Sequence, residues 1–154
     1  MKEKELVLKL IEKGYKIATA ESCTGGMLAS TIVNVPMASK VFDESVVTYA
    51  NEAKIKYAGV SPESIEKHGV VSEEVAGEMA EGIAKSAGAN VGVGISGIAG
   101  PTGATATKPV GMVCFGFFVD GKLETCTKYF KGSRTTVRKK STKFAIEKLL
   151  QIIK

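Results

Sequence analysis

Apolar and polar residues follow helical and strand-like periods in turn along this chain. Apolar residues recur every three or four positions across residues 3–13, which predicts a helix that ends at Gly14. A short strand-like run follows at residues 16–20, and an apolar helical stretch occupies residues 24–33. Pro36 then interrupts the pattern. The first part of the chain is therefore predicted to fold as helix, strand, helix.

The middle of the chain repeats this alternation. Residues 45–49 form the next predicted strand, and Asn51 is placed to cap a short helix after it. Pro62 suits the first position of another short helix, and Ser72 is placed to cap a longer helix over residues 73–87. These signals predict three helices before the chain returns to strands.

The C-terminal part is predicted to contain most of the sheet. Residues 91–96 have the composition of a buried strand and run into a Gly-rich loop over residues 97–103. Two further strands, at residues 110–119 and 123–130, are joined by Asp120-Gly121, a strong hairpin signal. A terminal helix is predicted over residues 134–153 that buries Val137, Phe144, Ala145, Leu149 and Ile152. The alternation of helices and strands, with one hairpin, indicates an α/β sandwich with a mixed sheet.

Composition supports one soluble globular domain over residues 1–154. Hydrophobic residues make up 44% and charged residues 24%, and no apolar run approaches the ~20 residues of a membrane span. The charged N-terminus is typical of a helix rather than a signal peptide. Three cysteines without metal-ligand spacing favour a reducing cytoplasm and argue against disulfides or a zinc site.

Positive charge is concentrated at the C-terminal end. Residues 122–154 contain ten Lys or Arg and two Asp or Glu, although the whole chain carries a net charge of only +5. This asymmetry suggests an anionic partner, either a phosphate-bearing small molecule, nucleic acid or an acidic membrane surface, or else a solvated lysine-rich helix face. Trp is absent and aromatic residues are few, so stacking platforms for single-stranded nucleic acid are poor.

The junction between the first strand and the next helix is the main candidate for chemistry. It places the hydroxyl of Ser22 beside a helix N-terminus, where backbone N–H groups favour an anion or a developing oxyanion. The alternative is that Ser22 or Thr24 only caps the helix. Ligand sites in α/β folds collect beyond the carboxyl ends of strands, here after residues 20, 49 and 96.

A serine–lysine pair is the catalytic arrangement that the composition leaves open. His68 is the only histidine, there is no G-x-S-x-G motif, and no P-loop occurs. Lys54, in the first turn of its predicted helix, would be driven towards its neutral form by the helix dipole and by burial. Tyr49 could relay a proton or orient the pair. The alternatives are that Lys54 is a surface lysine and Tyr49 an aromatic residue at the core edge.

Three other features extend this candidate site. The Gly-rich loop that begins at Ser96 allows close backbone approach to a ligand, or is a plain turn. Arg134 and Arg138 are the only arginines and lie four residues apart on one helix face, where a guanidinium matches phosphate. Cys23 is an alternative nucleophile, with a core position as its structural explanation.

Five motifs, in order along the chain, resemble the CinA C-terminal domain family, which includes stand-alone nicotinamide-nucleotide amidases. They are Glu21–Gly26, Val47–Lys54, His68–Ala76, Gly97–Pro101 and Lys108–Gly111. The resemblance implies a three-layer α/β/α sandwich with a mixed, mostly parallel sheet and a C-terminal hairpin. It also implies deamidation of nicotinamide mononucleotide to nicotinate mononucleotide and ammonia.

The resemblance assigns roles residue by residue. Ser22 falls on the nucleophile, and Tyr49 and Lys54 fall on its catalytic partners. Arg134 falls on the side that binds the substrate anion. With the two Gly-rich loops and the helix-face arginines described above, the expected substrate-binding set is Thr24, Gly25, Gly26, Ser96, Gly97, Gly100, Arg134 and Arg138. No metal or organic cofactor is expected, and apolar helical faces would permit a homodimer. The competing hypothesis is a pyridine-nucleotide-binding regulatory module without turnover.

Overall fold

The computed structural model describes all 154 residues. Its elements along the chain are α1 (Lys2–Lys13), β1 (Ile17–Glu21), α2 (Met27–Val33), a short 3₁₀ helix (Ala38–Lys40), β2 (Val46–Val47), α3 (Asn51–Ala58), α4 (Pro62–His68), α5 (Glu73–Ala87), β3 (Val91–Gly97), β4 (Met112–Val119), β5 (Lys122–Tyr129) and α6 (Arg134–Ile152). None of the helices combines the length and the apolar character needed to cross a membrane.

The five strands form one mixed sheet in the order β2-β1-β3-β4-β5. β1 runs parallel to both β2 and β3, whereas β4 pairs antiparallel with β3 and with β5. The carboxyl ends of β1, β2 and β3 therefore meet at one edge. Because β4 runs the other way, β5 also ends at that edge, and α6 begins there.

Two layers of helices cover the sheet, as expected for an α/β/α sandwich. The larger core lies on one face and joins α1, α2 and α6 to the sheet through residues such as Leu10, Leu28 and Leu149. A smaller core on the other face contains Ala58 of α3 together with Met79 and Ile83 of α5. The predicted core residues Phe144 and Ile152 lie at the margin of the larger core and are only partly buried.

The alternation of valine and glycine in β3 follows from its two faces. Val91, Val93 and Ile95 enter the larger core. Gly92 and Gly94 face α5 so closely that an added Cβ would lie 2.1 Å from the Ala80 carbonyl oxygen and 2.2 Å from that of Ala76, respectively. Only glycine permits this approach, so the pattern fixes α5 directly on the sheet.

Several predicted elements differ from the structure at their ends. α2 starts at Met27 rather than residue 24, because Gly25 and Gly26 adopt positive φ angles of 57° and 94° and keep the chain out of the helix. Only Val46 and Val47 of the predicted strand 45–49 pair with β1.

Of the two predicted helix caps, one is present, and the predicted hairpin is present too. Asn51 was wrong as a cap, since it is the first residue of α3, Ala50 is the N-cap and no side chain caps the helix. Ser72 does cap α5, accepting a hydrogen bond from the Val75 N–H. The Asp120-Gly121 hairpin is present, and its φ angles of 49° and 83° match the turn type that such a pair favours.

Candidate active site

Ser22 follows β1 directly and lies at the sheet edge where the parallel strands end. Its backbone N–H donates to the Ile95 carbonyl oxygen at 3.0 Å, so the β1–β3 ladder extends up to this residue. The side chain is almost buried, with 8% of the residue exposed. A rigid strand therefore fixes the hydroxyl, which suits a group that has to be aimed at a reacting atom.

Lys54 brings its amine to Ser22 from the first half of α3. Its Nζ lies 3.0 Å from the Ser22 Oγ, 2.6 Å from the Thr48 carbonyl oxygen and 3.1 Å from the Tyr49 carbonyl oxygen. Only 1% of Lys54 is exposed, and it forms no ion pair with any carboxylate. Residues 32 positions apart in the sequence thus form a buried serine–lysine pair.

Burial prepares Lys54 to act as a base. Desolvation disfavours the ammonium form and lowers the pKa of Lys54 from 10.5 to about 8. A neutral amine has two N–H donors and one lone pair. The two donors match the Thr48 and Tyr49 carbonyls, which leaves the lone pair to accept the hydroxyl proton of Ser22. Burial is the main cause of the lowered pKa of Lys54.

Glu21 is a site residue that the sequence analysis missed. Its carboxylate is fully buried and accepts hydrogen bonds from the hydroxyls of Thr19 and Thr24 and from the backbone N–H groups of Leu28 and Ala29, at 2.7–2.9 Å. The carboxylate thus occupies the N-terminus of α2, where negative charge is favourable. The expected anion site at this helix end is therefore filled by the protein itself.

The loop between Ser22 and α2 retains unused donors. The backbone N–H groups of Cys23, Thr24 and Gly26 have no acceptor within the chain. Gly26 is the N-cap of α2, so neither Ser22 nor Thr24 has the capping role considered as their alternative. Thr24 is fully buried and its hydroxyl is committed to Glu21. This loop can offer main-chain donors to an oxyanion beside the Ser22 hydroxyl.

The two arginines of α6 make different contacts. Arg138, half-buried, donates from Nε to the Cys23 carbonyl oxygen at 2.9 Å and from Nη2 to that of Thr24 at 3.1 Å. Arg134 is exposed and donates to the Gly100 carbonyl oxygen at 2.8 Å and to the Tyr49 hydroxyl at 2.9 Å. Arg138 therefore supports the loop that follows Ser22, whereas Arg134 lies between the loops that border the site.

Tyr49 contacts the other site residues through two separate groups, its backbone carbonyl and its phenol. Its carbonyl oxygen is one of the three acceptors around Lys54, while its phenol, on a residue that is 63% exposed, contacts Arg134. The phenol makes no hydrogen bond to Ser22 or Lys54. The structure thus brings Tyr49 to the site and directs its hydroxyl towards the arginine.

The second Gly-rich loop reaches the same edge of the sheet. Ser96 is buried at the end of β3 and its hydroxyl donates to the Val70 carbonyl oxygen at 2.7 Å, while Gly97 pairs with Val113 of β4. Gly100 contacts Arg134 as described above. Lys108 anchors the far end of this loop by donating to the carbonyl oxygens of His68 and Val71 at 2.7 and 2.6 Å.

Cys23 and His68 lie in positions that do not favour catalysis. Burial raises the pKa of the Cys23 thiol to about 11, so the reactive thiolate is scarce at neutral pH. His68 ends α4, and its Nδ1 lies 3.8 Å from a Glu74 carboxylate oxygen.

No group of three or more metal-ligating side chains occurs in the chain. Five surface cavities of 280–490 Å³ lie elsewhere, and none is lined by Ser22 or Lys54.

Fold and site together define an α/β/α domain with a buried serine–lysine pair at the carboxyl ends of its parallel strands. The chain belongs to the CinA C-terminal domain family, whose model matches residues 1–153. A CinA-like protein from Kosmotoga olearia is 52% identical over 144 residues, which cover 93% of this chain and 35% of that relative. The chain thus spans about a third of the length of this curated relative.

Solved structures show the same architecture. A competence-damaged protein (CinA) superfamily protein from Escherichia coli matches with a TM-score of 0.95 and 37% identity, covering 98% of this chain and 88% of that one. A superfamily protein from Enterobacter cloacae matches with a TM-score of 0.96 and 35% identity, covering 99% and 90% of the respective chains. The fold is therefore that of the CinA superfamily.

Proposed function

We propose that this protein is an amidohydrolase that converts nicotinamide mononucleotide to nicotinate mononucleotide and ammonia. The observation that carries the proposal is the buried contact of 3.0 Å between Lys54 Nζ and Ser22 Oγ, with no carboxylate paired to the amine. A buried lysine of lowered pKa beside a serine hydroxyl is the arrangement that activates a serine nucleophile without histidine. The substrate follows from the family resemblance of the motifs around this pair.

In acylation, neutral Lys54 accepts the proton of Ser22, and the Ser22 Oγ attacks the carboxamide carbon of the nicotinamide ring. The carbonyl oxygen becomes an oxyanion that the free N–H groups of the Cys23–Gly26 loop stabilise, with a single donor typically contributing ~3–4 kcal/mol. Lys54 returns the proton to the departing nitrogen, the C–N bond breaks, and ammonia leaves an ester on Ser22.

Deacylation follows the same path with water as the nucleophile. Lys54 accepts a proton from the water, the water oxygen bonds to the ester carbon, and the proton passes to the Ser22 Oγ as the ester bond breaks. Nicotinate mononucleotide is released and the enzyme returns to its starting state.

Arg134 is the better candidate to bind the 5′-phosphate of the substrate. Its guanidinium is exposed and lies beside Tyr49 and Gly100 at the border of the site. Both carbonyl contacts of Arg138 instead serve the Cys23–Gly26 loop after Ser22, the nucleophile loop. A guanidinium matches phosphate oxygens with paired donors. Tyr49, which contacts Arg134 through its hydroxyl, would lie beside the same part of the substrate.

The first test is an ammonia-release assay on nicotinamide, its riboside and its mononucleotide. We expect the mononucleotide to be hydrolysed fastest, because it alone among the three carries a phosphate for Arg134. Ser22→Ala should abolish release while leaving the unfolding temperature close to that of the native protein. Cys23→Ser is the matched control on the neighbouring residue, and it should retain activity.

Two results would count against the proposal. If Ser22→Ala keeps native turnover, the nucleophile assignment is wrong. If calorimetry detects nucleotide binding to a native protein that releases no ammonia, the protein is a nucleotide-binding regulatory module instead.

A further inference from the structure

Thr48 carries an unpaired buried hydroxyl. The residue is fully buried, and its Oγ1 is the only buried side-chain nitrogen or oxygen atom in the chain without a hydrogen bond. Leaving such a group unpaired costs a folded protein about 1–3 kcal/mol. An apolar side chain would remove that cost. A buried hydroxyl without a partner therefore suggests a role in the reaction.

The backbone of Thr48 connects the two members of the candidate catalytic pair. Its carbonyl oxygen accepts the shortest hydrogen bond of Lys54 Nζ, at 2.6 Å. Its N–H donates at 2.9 Å to the carbonyl oxygen of Glu21, the residue before Ser22. The unpaired hydroxyl therefore belongs to the residue that holds the base beside the strand that bears the nucleophile.

The reaction removes one of the acceptors around Lys54. Before attack, three oxygens surround Nζ, namely Ser22 Oγ and the carbonyls of Thr48 and Tyr49. When Ser22 attacks, its oxygen bonds to the substrate carbon and its proton passes to Lys54. The resulting ammonium has three donors, while the Ser22 oxygen is now a much poorer acceptor. One donor of a buried cation then lacks a partner until the departing nitrogen accepts the proton.

The other polar groups nearby are already engaged. The Glu21 carboxylate already accepts four hydrogen bonds, two from threonine hydroxyls and two from the first turn of α2. Arg138 is a donor and is bound to the loop carbonyls, and the Tyr49 phenol contacts Arg134. The Cys23 thiol is the one titratable group that acts on Lys54, and it is protonated at neutral pH.

We propose that Thr48 is a positioning residue for Lys54, whose hydroxyl, directly or through one water molecule, accepts the hydrogen bond that the Lys54 ammonium can no longer give to Ser22. The proposal rests on the serine–lysine mechanism given above. It explains why a buried hydroxyl stays unpaired before the reaction: its partner forms only while the amine is protonated and the Ser22 oxygen is bonded to the substrate carbon.

The test compares Thr48→Val, which removes the hydroxyl, with Thr48→Ser, which keeps it. Both substitutions are made in Ser22→Ala, which removes the Ser22 acceptor as the reaction does, and the pKa of Lys54 is measured by NMR titration of its side-chain resonances in each purified protein. We expect Thr48→Val to lower this pKa by about one unit, because a charge-assisted hydrogen bond to the ammonium is lost. Thr48→Ser should stay close to the value of Ser22→Ala alone, and the unfolding temperature of Thr48→Val should not fall. Thr48→Ala repeats the measurement if valine packs badly.

Turnover provides the second readout. With Ser22 intact, we expect Thr48→Val to lower kcat about tenfold and to leave KM nearly unchanged. Thr142→Val, which removes a buried hydroxyl bonded to a helix carbonyl of α6, should change neither the Lys54 pKa nor kcat.

The result that overturns the inference is a Ser22→Ala/Thr48→Val protein whose Lys54 pKa matches that of Ser22→Ala. This outcome is distinct from failure of the proposed function, because the NMR titration requires no turnover. A native protein inactive on all three nicotinamide compounds would refute the amidase alone, and the titration would still decide whether Thr48 supports the Lys54 ammonium.

Discussion

At the scale of single residues, Lys54 is the group that determines how the protein should respond to pH. Its amine is almost fully buried, and burial lowers its pKa to about 8. The base form therefore increases from neutral pH to about pH 9. We expect kcat/KM to rise about tenfold per pH unit below pH 8 and to level off above it, which a pH–rate profile for ammonia release will measure. A flat profile between pH 6 and 9 would contradict the role of Lys54.

The same group should make stability depend on pH. The folded pKa lies below the unfolded value of 10.5, so between about pH 8 and 10.5 the unfolded chain binds more protons than the folded one. The cost of burying the ammonium is fully present below pH 8 and disappears as the pH rises through that window. Between about pH 8 and 10.5, the free energy of unfolding of the native protein in urea should increase by on the order of 3 kcal/mol relative to that of Lys54→Met. If the difference in unfolding free energy between the two proteins is the same at both pH values, Lys54 is not the source of the pH dependence.

At the scale of secondary-structure elements, Glu21 attaches the start of α2 to β1. Replacing its carboxylate by an amide turns one acceptor oxygen into a donor that faces other donors. We therefore expect Glu21→Gln to lower the free energy of unfolding by about 2–4 kcal/mol, measured by urea denaturation. Glu78→Gln is the matched control, because Glu78 accepts from Ser61 and Ser64 at a half-buried position. Equal losses in the two variants would contradict a special role for Glu21.

The helix α6 approaches the site through two arginines with different tasks. Arg138→Ala removes the support of the Cys23 and Thr24 carbonyls, so we expect kcat to fall because the nucleophile loop loses its position. Arg134→Ala removes the exposed guanidinium, so KM for the mononucleotide should rise instead. Steady-state kinetics of both variants on the mononucleotide and the riboside will separate these effects. If Arg138→Ala raises KM and Arg134→Ala lowers kcat, the roles of the two arginines are the reverse of those proposed.

At the scale of the whole molecule, the sequence predicted those features that local signals define. The caps at Ser72 and Gly14, the hairpin at Asp120-Gly121 and the buried strand at residues 91–96 all depend on residues close in sequence, and the structure confirms them. The elements and their alternation were therefore accessible from periodicity and turn chemistry. The family resemblance supplied the layer arrangement.

Features that depend on contacts between residues distant in sequence could not be predicted from the sequence. β2 is short because Ser45 turns its hydroxyl to Thr19, and because the carbonyls of Thr48 and Tyr49 serve Lys54 instead of a strand partner. The carboxylate of Glu21 reaches a helix seven positions further along the chain. No periodic pattern encodes such contacts, so the sequence indicated the serine and the lysine but not the groups that hold them.

The direction of β4 has a practical consequence. Because Val119 lies opposite Val91, the tip of the hairpin is at the end of the sheet remote from Ser22. Asp120 and Gly121 are exposed there, and a Cβ added at Gly121 meets no atom within 4 Å. Loop tips of this kind accept foreign segments readily. This corner is thus a natural attachment point for a fluorophore, an affinity tag or a surface tether in work on the intact protein.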